Sequence, residues 1–226
     1  MVSLLDVIGP VMVGPSSSHT AGACRIALLA RALLGQTPSR AVLELHGSFA
    51  KTGSGHGTDR ALVAGLLGMQ PDDPRLRDGL LLAEAAGMVV EQRHVKLRGA
   101  VHPNSVRLTL QQTRDPRAPS QVVVIGSSLG GGRVVLTELD GLPIEVSGHY
   151  DTLVIQAEDR RGTIGAIATE LARAAVNIAT VRLSRRSKGG VAVHVYELDE
   201  APADSCVAAL AALPGVQVVR RVPRVG

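Results

Sequence analysis

Apolar residues recur at helical spacing over residues 21–34 (AGACRIALLARALL), and Gly35 with Pro38 just beyond marks where such a helix stops. Upstream, residues 3–8 read as a short helix capped by Ser3 and closed by Gly9-Pro10. Residues 41–50 open with strand alternation and run into KTGSGHGTD, residues 51–59, whose glycines predict a loop. Thr58 or Asp59 is placed to cap a helix over 60–67 that ends at Gly68. Pro71-Asp72-Asp73-Pro74 is a turn cluster, and residues 76–86 form the next expected helix, closed by Gly87. Strands are expected over 88–97 and 106–112, with the turn signal His102-Pro103-Asn104 between them. A polar stretch with two prolines (113–120) precedes a short apolar strand, 122–125. A glycine turn over 127–132 then returns the chain as a hairpin strand, 134–139, and 142–146 adds another short strand.

Near Gly148 the pattern resets. Residues 151–157 read as a buried strand, 164–175 as an amphipathic helix, and 176–183 and 191–198 as two strands. A second helix over 205–213 and a last strand over 216–222 follow. Strand, helix, strand, strand, helix, strand is the ferredoxin-like order. The boundary is expected at 147–150, leaving about 75 residues for the second unit, a normal size for a small domain. The fold class is α+β, with an N-terminal domain over 1–147 and a C-terminal one over 150–226.

Composition narrows the function classes. Of 226 residues, 45% are hydrophobic but only 1% aromatic, so the core must be aliphatic and a base-stacking nucleic-acid surface is not expected. The net charge of +4 comes from arginines scattered among acids. That distribution reads as a solvated surface, with no nucleic acid as partner. Cys24 and Cys206 suggest neither a disulfide framework nor an iron–sulfur site held by this chain alone. No signal peptide and no membrane-spanning run is read, which makes the cytoplasm the expected location.

Two polar constellations remain. In GPSSSHTAG, residues 14–22, three serines, a histidine and a threonine stand just before the long helix. A helix N-terminus offers unpaired N–H donors to a carboxylate, and Ser16, Ser17, Ser18 and Thr20 add hydroxyls. His19 can exchange a proton near neutral pH. In the second constellation, Gly53, Gly55 and Gly57 allow close backbone approach around His56. Neither Rossmann nor Walker spacing is present. A zinc site on His19 and His56 lacks a third ligand.

These two motifs, GPSSSHTAG and HGSFAKTGSGHGTDRALVAGLLG, resemble the β subunit of iron–sulfur-dependent L-serine dehydratases (L-serine ammonia-lyases). The likeness extends over essentially the whole chain, and the C-terminal part resembles an ACT domain. The N-terminal part is similar to the allosteric substrate-binding domain of some phosphoglycerate dehydrogenases. The resemblance implies a [4Fe-4S] cluster held by a separate α subunit, L-serine as substrate, and activity only when the two chains meet. His56 is then the first choice for the base and His19 the second. Ser16, Ser17, Ser18 and Thr20 would hold the substrate carboxylate. Thr52, Thr58 and Asp59 would order the loop or contact substrate, and Lys51 either neutralises a carboxylate or is simply solvated. In the ACT-like part, Asp159, Gly162, Ile164 and Asn177 are regulatory-ligand candidates. The other reading of that part is dimerisation alone, and a homodimer of the chain is expected. The alternative function is a non-catalytic amino-acid-binding regulatory module.

Overall fold

The computed structural model describes residues 10–98, 102–113 and 121–226; the expected helix over 3–8 and nearly all of the polar stretch 113–120 lie outside the described residues. The first sheet is assembled around one helix. A single π-helical turn, Ser17–Gly22, runs directly into α1, Ala23–Leu34, which ends on Gly35 at φ 85° as its sequence predicts. Strand β1 (Arg40–His46) is followed at once by α2 (Gly47–His56) and α3 (Thr58–Leu66). A 3₁₀ turn (Pro74–Asp78) leads into the short α4, Gly79–Ala85. Strands β2 (Val89–His94), β3 (Asn104–Gln111), β4 (Gln121–Gly130), β5 (Arg133–Leu139) and β6 (Leu142–Val146) complete the unit. The sheet order is β2-β1-β3-β4-β5-β6; only β1 and β2 are parallel. Alternation along β1 and β3 puts Leu43, Leu45, Leu108 and Leu110 inward, against Ile26, Leu29 and Leu33 of α1 and Leu62 and Leu66 of α3. Burying each such side chain contributes about 1.5–3 kcal/mol, which the near-absence of aromatics makes the main source of stability.

The second sheet holds β7 (Asp151–Glu158), β8 (Ile178–Arg185), β9 (Val191–Leu198) and β10 (Val216–Val222), with α5 (Thr163–Arg173) and α6 (Asp204–Ala211) between strands. Its order, β10-β7-β9-β8, all antiparallel, is the ferredoxin-like one. One face carries Leu153, Ile155, Tyr196 and Leu198 against Ile167, Leu171 and Leu210 of the two helices. The opposite face places Val154, Val193, Val195 and Val222 in the core that also holds α1. Glu197, buried at that seam, accepts from the Ser147 amide (3.1 Å), the Ser147 hydroxyl (2.6 Å) and the Thr180 hydroxyl (2.9 Å). No helix among the described residues is long and apolar enough to cross a membrane.

Three expectations change. Residues 51–56 are not loop but the second half of α2. Gly53 and Gly55 oppose helix formation by roughly 1 kcal/mol each, yet Phe49 is fully buried and anchors the segment to the core. Neither Thr58 nor Asp59 caps α3; its N-cap is Gly57 at φ 69°, a left-handed position that favours glycine. The glycine turn expected at 127–132 shrinks to its last residues, because β4 continues through Ser127 and Ser128 to Gly130. Both serines are buried, and their small side chains let the π-helical turn sit on the sheet: a Cβ at Gly22 would run into Ser128.

Candidate functional site

The spacing of Ser48, Thr52 and His56 is four residues each, so a helical α2 places all three on one face. That face meets His19 from the π-helical turn. The two imidazole rings lie 4.9 Å apart between centroids, tilted by 34°. The edge of Phe49 also meets His19, at 5.3 Å.

Hydrogen bonds distinguish the two histidines. His56 Nδ1 stands 2.9 Å from the Thr52 carbonyl oxygen, which can only accept. Nδ1 therefore carries the hydrogen, and the lone pair of neutral His56 is on Nε2. The Thr52 hydroxyl donates to the Ser48 carbonyl at 3.0 Å, so towards His19 Nε2, 3.0 Å away, it is an acceptor. His19 thus bears its hydrogen on Nε2, with the Ser48 hydroxyl also within 3.1 Å. Its Nδ1 faces the Ser16 hydroxyl at 3.4 Å. Ser16 is the N-cap of the turn, accepting from the His19 amide at 3.1 Å. Burial, followed by the neighbouring His56, pulls the His19 pKa below the usual imidazole value, with Ser48 opposing. His19 is therefore held neutral with both nitrogens engaged, whereas His56 has one nitrogen fixed and one lone pair to use.

Of the other sequence candidates, Ser16, Thr20 and Thr52 meet this pair directly. Thr20 is buried and donates its hydroxyl to the His56 carbonyl at 3.2 Å, fastening the end of α2 to the serine turn. Ser17 and Ser18 form the first residues of that turn and are half-buried. Thr58 is buried against Gly53, and its hydroxyl and Asp59 Oδ1 are both buried without a hydrogen-bond partner. Lys51 faces solvent. His56 lines a cavity of about 290 Å³ with Gly14, Thr20, Gly57, Arg60 and Arg77.

The sequence reading missed Ser48, Arg60 and Arg77. Ser48 was visible in principle through the 48/52/56 spacing, which has meaning only on a helix. Arg60 follows His56 by four residues. Arg77 arrives on the 3₁₀ turn, and nothing in the linear order links it to a histidine 21 positions earlier. Two guanidinium groups in a cavity beside an imidazole suit a substrate carboxylate.

The regulatory candidates lie apart within one protomer. Asp159 accepts from the Gly189 amide at 2.9 Å and pairs with Arg185, and these hold its carboxyl below the usual range. Gly162 (φ 90°) and the half-exposed Ile164 start α5 at that same end of the sheet. Asn177 is at the other end, where its side chain donates to Asp199 at 2.6 Å and its amide donates to Glu200. The register of β7 with β9, from Asp151↔Leu198 to Glu158↔Val191, separates the two ends by roughly 25 Å of strand.

The cysteines do not suit cluster ligation. Cys24 is buried, its thiol donates to the Met69 carbonyl at 3.2 Å, and burial pushes it up to about 12. Cys206 is also buried and also raised. Among the described residues no group of three His, Cys, Asp or Glu side chains converges as a metal site.

A pH dependence follows from the buried imidazole of His194 and the half-buried one of His19. The His194 pKa is lowered by burial, against the pull of Asp159, and both its ring nitrogens lack partners. For His194 and His19 alike, the unfolded chain takes up a proton near pH 6.5 while the folded chain resists it. The stabilisation is complete above about pH 6.5 and is lost as pH falls through the lower folded values. Melting temperature is expected to fall between pH 7.5 and 5.5, and a His194→Leu variant should show a shallower fall. An unchanged slope would remove His194 from the account.

Comparison with known proteins gives a consistent result. Residues 3–99 match the family model described as "Serine dehydratase beta chain". The chain is 37% identical over 220 residues to the "Probable L-serine dehydratase, beta chain" of Bacillus subtilis, covering 97% of each chain. It is also 37% identical to the "L-serine dehydratase, beta chain" of Peptoniphilus asaccharolyticus, covering 92% of each. Against "L-serine dehydratase 2" of Escherichia coli, 32% identity covers 67% of this chain but 38% of that longer one. Among solved structures, the ACT domain from the GTP pyrophosphokinase of Chlorobium tepidum is 23% identical, covers 31% of this chain and 82% of that one, and gives a TM-score of 0.27.

Proposed function

The chain belongs to the serine dehydratase beta chain family, and from that premise we propose that it forms one side of the catalytic cleft of an L-serine ammonia-lyase, completed by a cluster-binding α subunit. The observation that carries this reading is the histidine pair, in which His56 alone keeps an unused nitrogen lone pair. Deaminating serine removes the Cα proton and expels the Cβ hydroxyl as water. The enamine that remains tautomerises to an imine, which water hydrolyses to pyruvate and ammonia. His56 Nε2 is the base for the Cα proton. A positioned imidazole with a free lone pair suits that task. His19 packs against the His56 ring, and its Nε2–H is braced by Thr52 and Ser48. Arg60 and Arg77, with the serine turn, take the substrate carboxylate.

This chain's cysteines do not fit an iron–sulfur cluster, so the [4Fe-4S] group is assigned to the partner. We assign residues 1–147 to a domain like the allosteric substrate-binding domains and 150–226 to an ACT domain. Asp159, Gly162 and Ile164 of one copy require Asn177 from a second copy if all four are to meet one ligand, which fits a homodimer. Support for the ACT assignment is the strand order of the second sheet.

The test is reconstitution. Mixed anaerobically with the cluster-bearing α chain, this chain is expected to convert L-serine to pyruvate, measured by coupled reduction to lactate, whereas the chain by itself is colourless and inactive. A complex that binds serine but forms no pyruvate would favour the regulatory-module reading.

A further inference from the structure

At the opposite end of α1 from His19 lies a second cavity, of about 420 Å³, between the last turn of α1 and strand β10. That volume is within the roughly 300–1,000 Å³ typical of small-molecule sites. Its accessible apolar walls include Ala32, Val218 and Pro223. Three arginines also line it, and they are not equivalent. Arg31 donates to the Thr37 hydroxyl at 3.3 Å, and Arg221 is paired with Asp204 at 2.6 Å. Arg220 is only 8% exposed, and its Nε and Nη1 are buried with no hydrogen-bond partner among the described residues. Its position alternates with Val222, on the face of the sheet that meets α1.

A guanidinium does not shed its proton under ordinary conditions, so burial cannot be relieved by neutralisation. An ionised group removed from water without a partner costs several kcal/mol. Burial lowers the Arg220 pKa, with the charge of Asp140 opposing it. Carbonyl groups ending α1 give the cavity some negative character. The buried guanidinium of Arg220 and that of Arg31 at the rim outweigh it, since a helix end amounts to about half a charge.

We propose that this cavity binds a small organic anion, a carboxylate or phosphate group on an apolar body, with Arg220 as its buried counter-charge. The planar guanidinium can donate two parallel hydrogen bonds to either head group. Ala32, Val218 and Pro223 receive the apolar remainder. Arg31, which donates to the neutral Thr37 hydroxyl and so keeps its charge, holds the mouth positive. The site is separate from the histidine cleft: the 12 residues of α1 extend about 18 Å between them. It therefore does not depend on the proposed reaction.

The test uses the full chain, with inorganic phosphate and hexanoate as probes and chloride at matched ionic strength as control. Hexanoate is expected to raise the melting temperature saturably, by roughly 5–10 °C at a hundredfold excess over its Kd. Phosphate should bind more weakly because it leaves the apolar walls uncovered; equal affinities would place all recognition at Arg220 and overturn the apolar subsite. Arg220→Met keeps an unbranched apolar stem and removes the charged head. It is expected to melt no lower than the parent without ligand and to weaken hexanoate at least tenfold in calorimetry. A parent that shows no saturable response to either probe overturns the proposal. So does an Arg220→Met chain that melts well below the parent, because Arg220 would then be serving the fold.

Discussion

Alanine at position 56 is expected to lower pyruvate formation by the reconstituted enzyme by roughly 10²–10⁴-fold, the range a positioned general base contributes. The loss should fall on kcat, because the carboxylate contacts assigned to Arg60, Arg77 and the serine turn stay in place. Folding should hardly change. His56 is the last residue of α2, half-buried, and what anchors that helix is Phe49 together with Thr52 and the Thr20 latch on the His56 main-chain carbonyl. The variant therefore keeps its melting temperature and its association with the α chain, both measurable without turnover. Added imidazole should restore part of the rate, since the cavity left behind opens to solvent. Turnover close to the parent's would remove His56 from the role of base, and His19 could not simply replace it, because both its nitrogens are already engaged.

Gly65→Ala is the second large effect, and here two physical terms have opposite signs. In an exposed helix, glycine to alanine stabilises by up to about 1 kcal/mol. Gly65, however, lies where α3 crosses α1. A Cβ there would collide with the Cys24 carbonyl oxygen and sit 2.8 Å from the Ala27 Cβ. Overpacking against backbone that cannot rotate away costs about 1–3 kcal/mol or more. The packing term wins, with a net loss of about 2 kcal/mol and a melting temperature lower by roughly 4–8 °C. Because α1 is continuous with the turn bearing His19, pushing α1 away should also separate the two imidazoles and reduce turnover. A variant as stable as the parent would mean that α1 and α3 can slide apart freely, contrary to the close contact around Cys24 and Ala27.

Several elements could be read directly from residue order. The 21–34 periodicity ended by Gly35 gives α1 its face and its stop, and strict patterning gives β9 and β10 at the residues expected. The succession of elements after Gly148 matches the ferredoxin-like order. Those features are local: a stripe of leucines or a run of valines carries its own reason for being a helix or a strand. The motifs around His19 and His56 were likewise conspicuous, because polar side chains concentrated beside glycines have little to do in a core.

Tertiary structure decided the rest. Whether KTGSGH is loop or helix depends on Phe49 finding a place in the core, and local glycine content points the other way. Only as a helix does the segment align Ser48, Thr52 and His56, and only then do its hydroxyl and carbonyl groups fix one hydrogen on each imidazole. Arg60, Arg77 and the unpaired Arg220 are, in the sequence, three among many scattered arginines. Charge is additive along a chain, but its chemical meaning depends on burial and on which partners lie within hydrogen-bond reach. Both are set by how distant segments pack, and neither is written in any window of neighbouring residues.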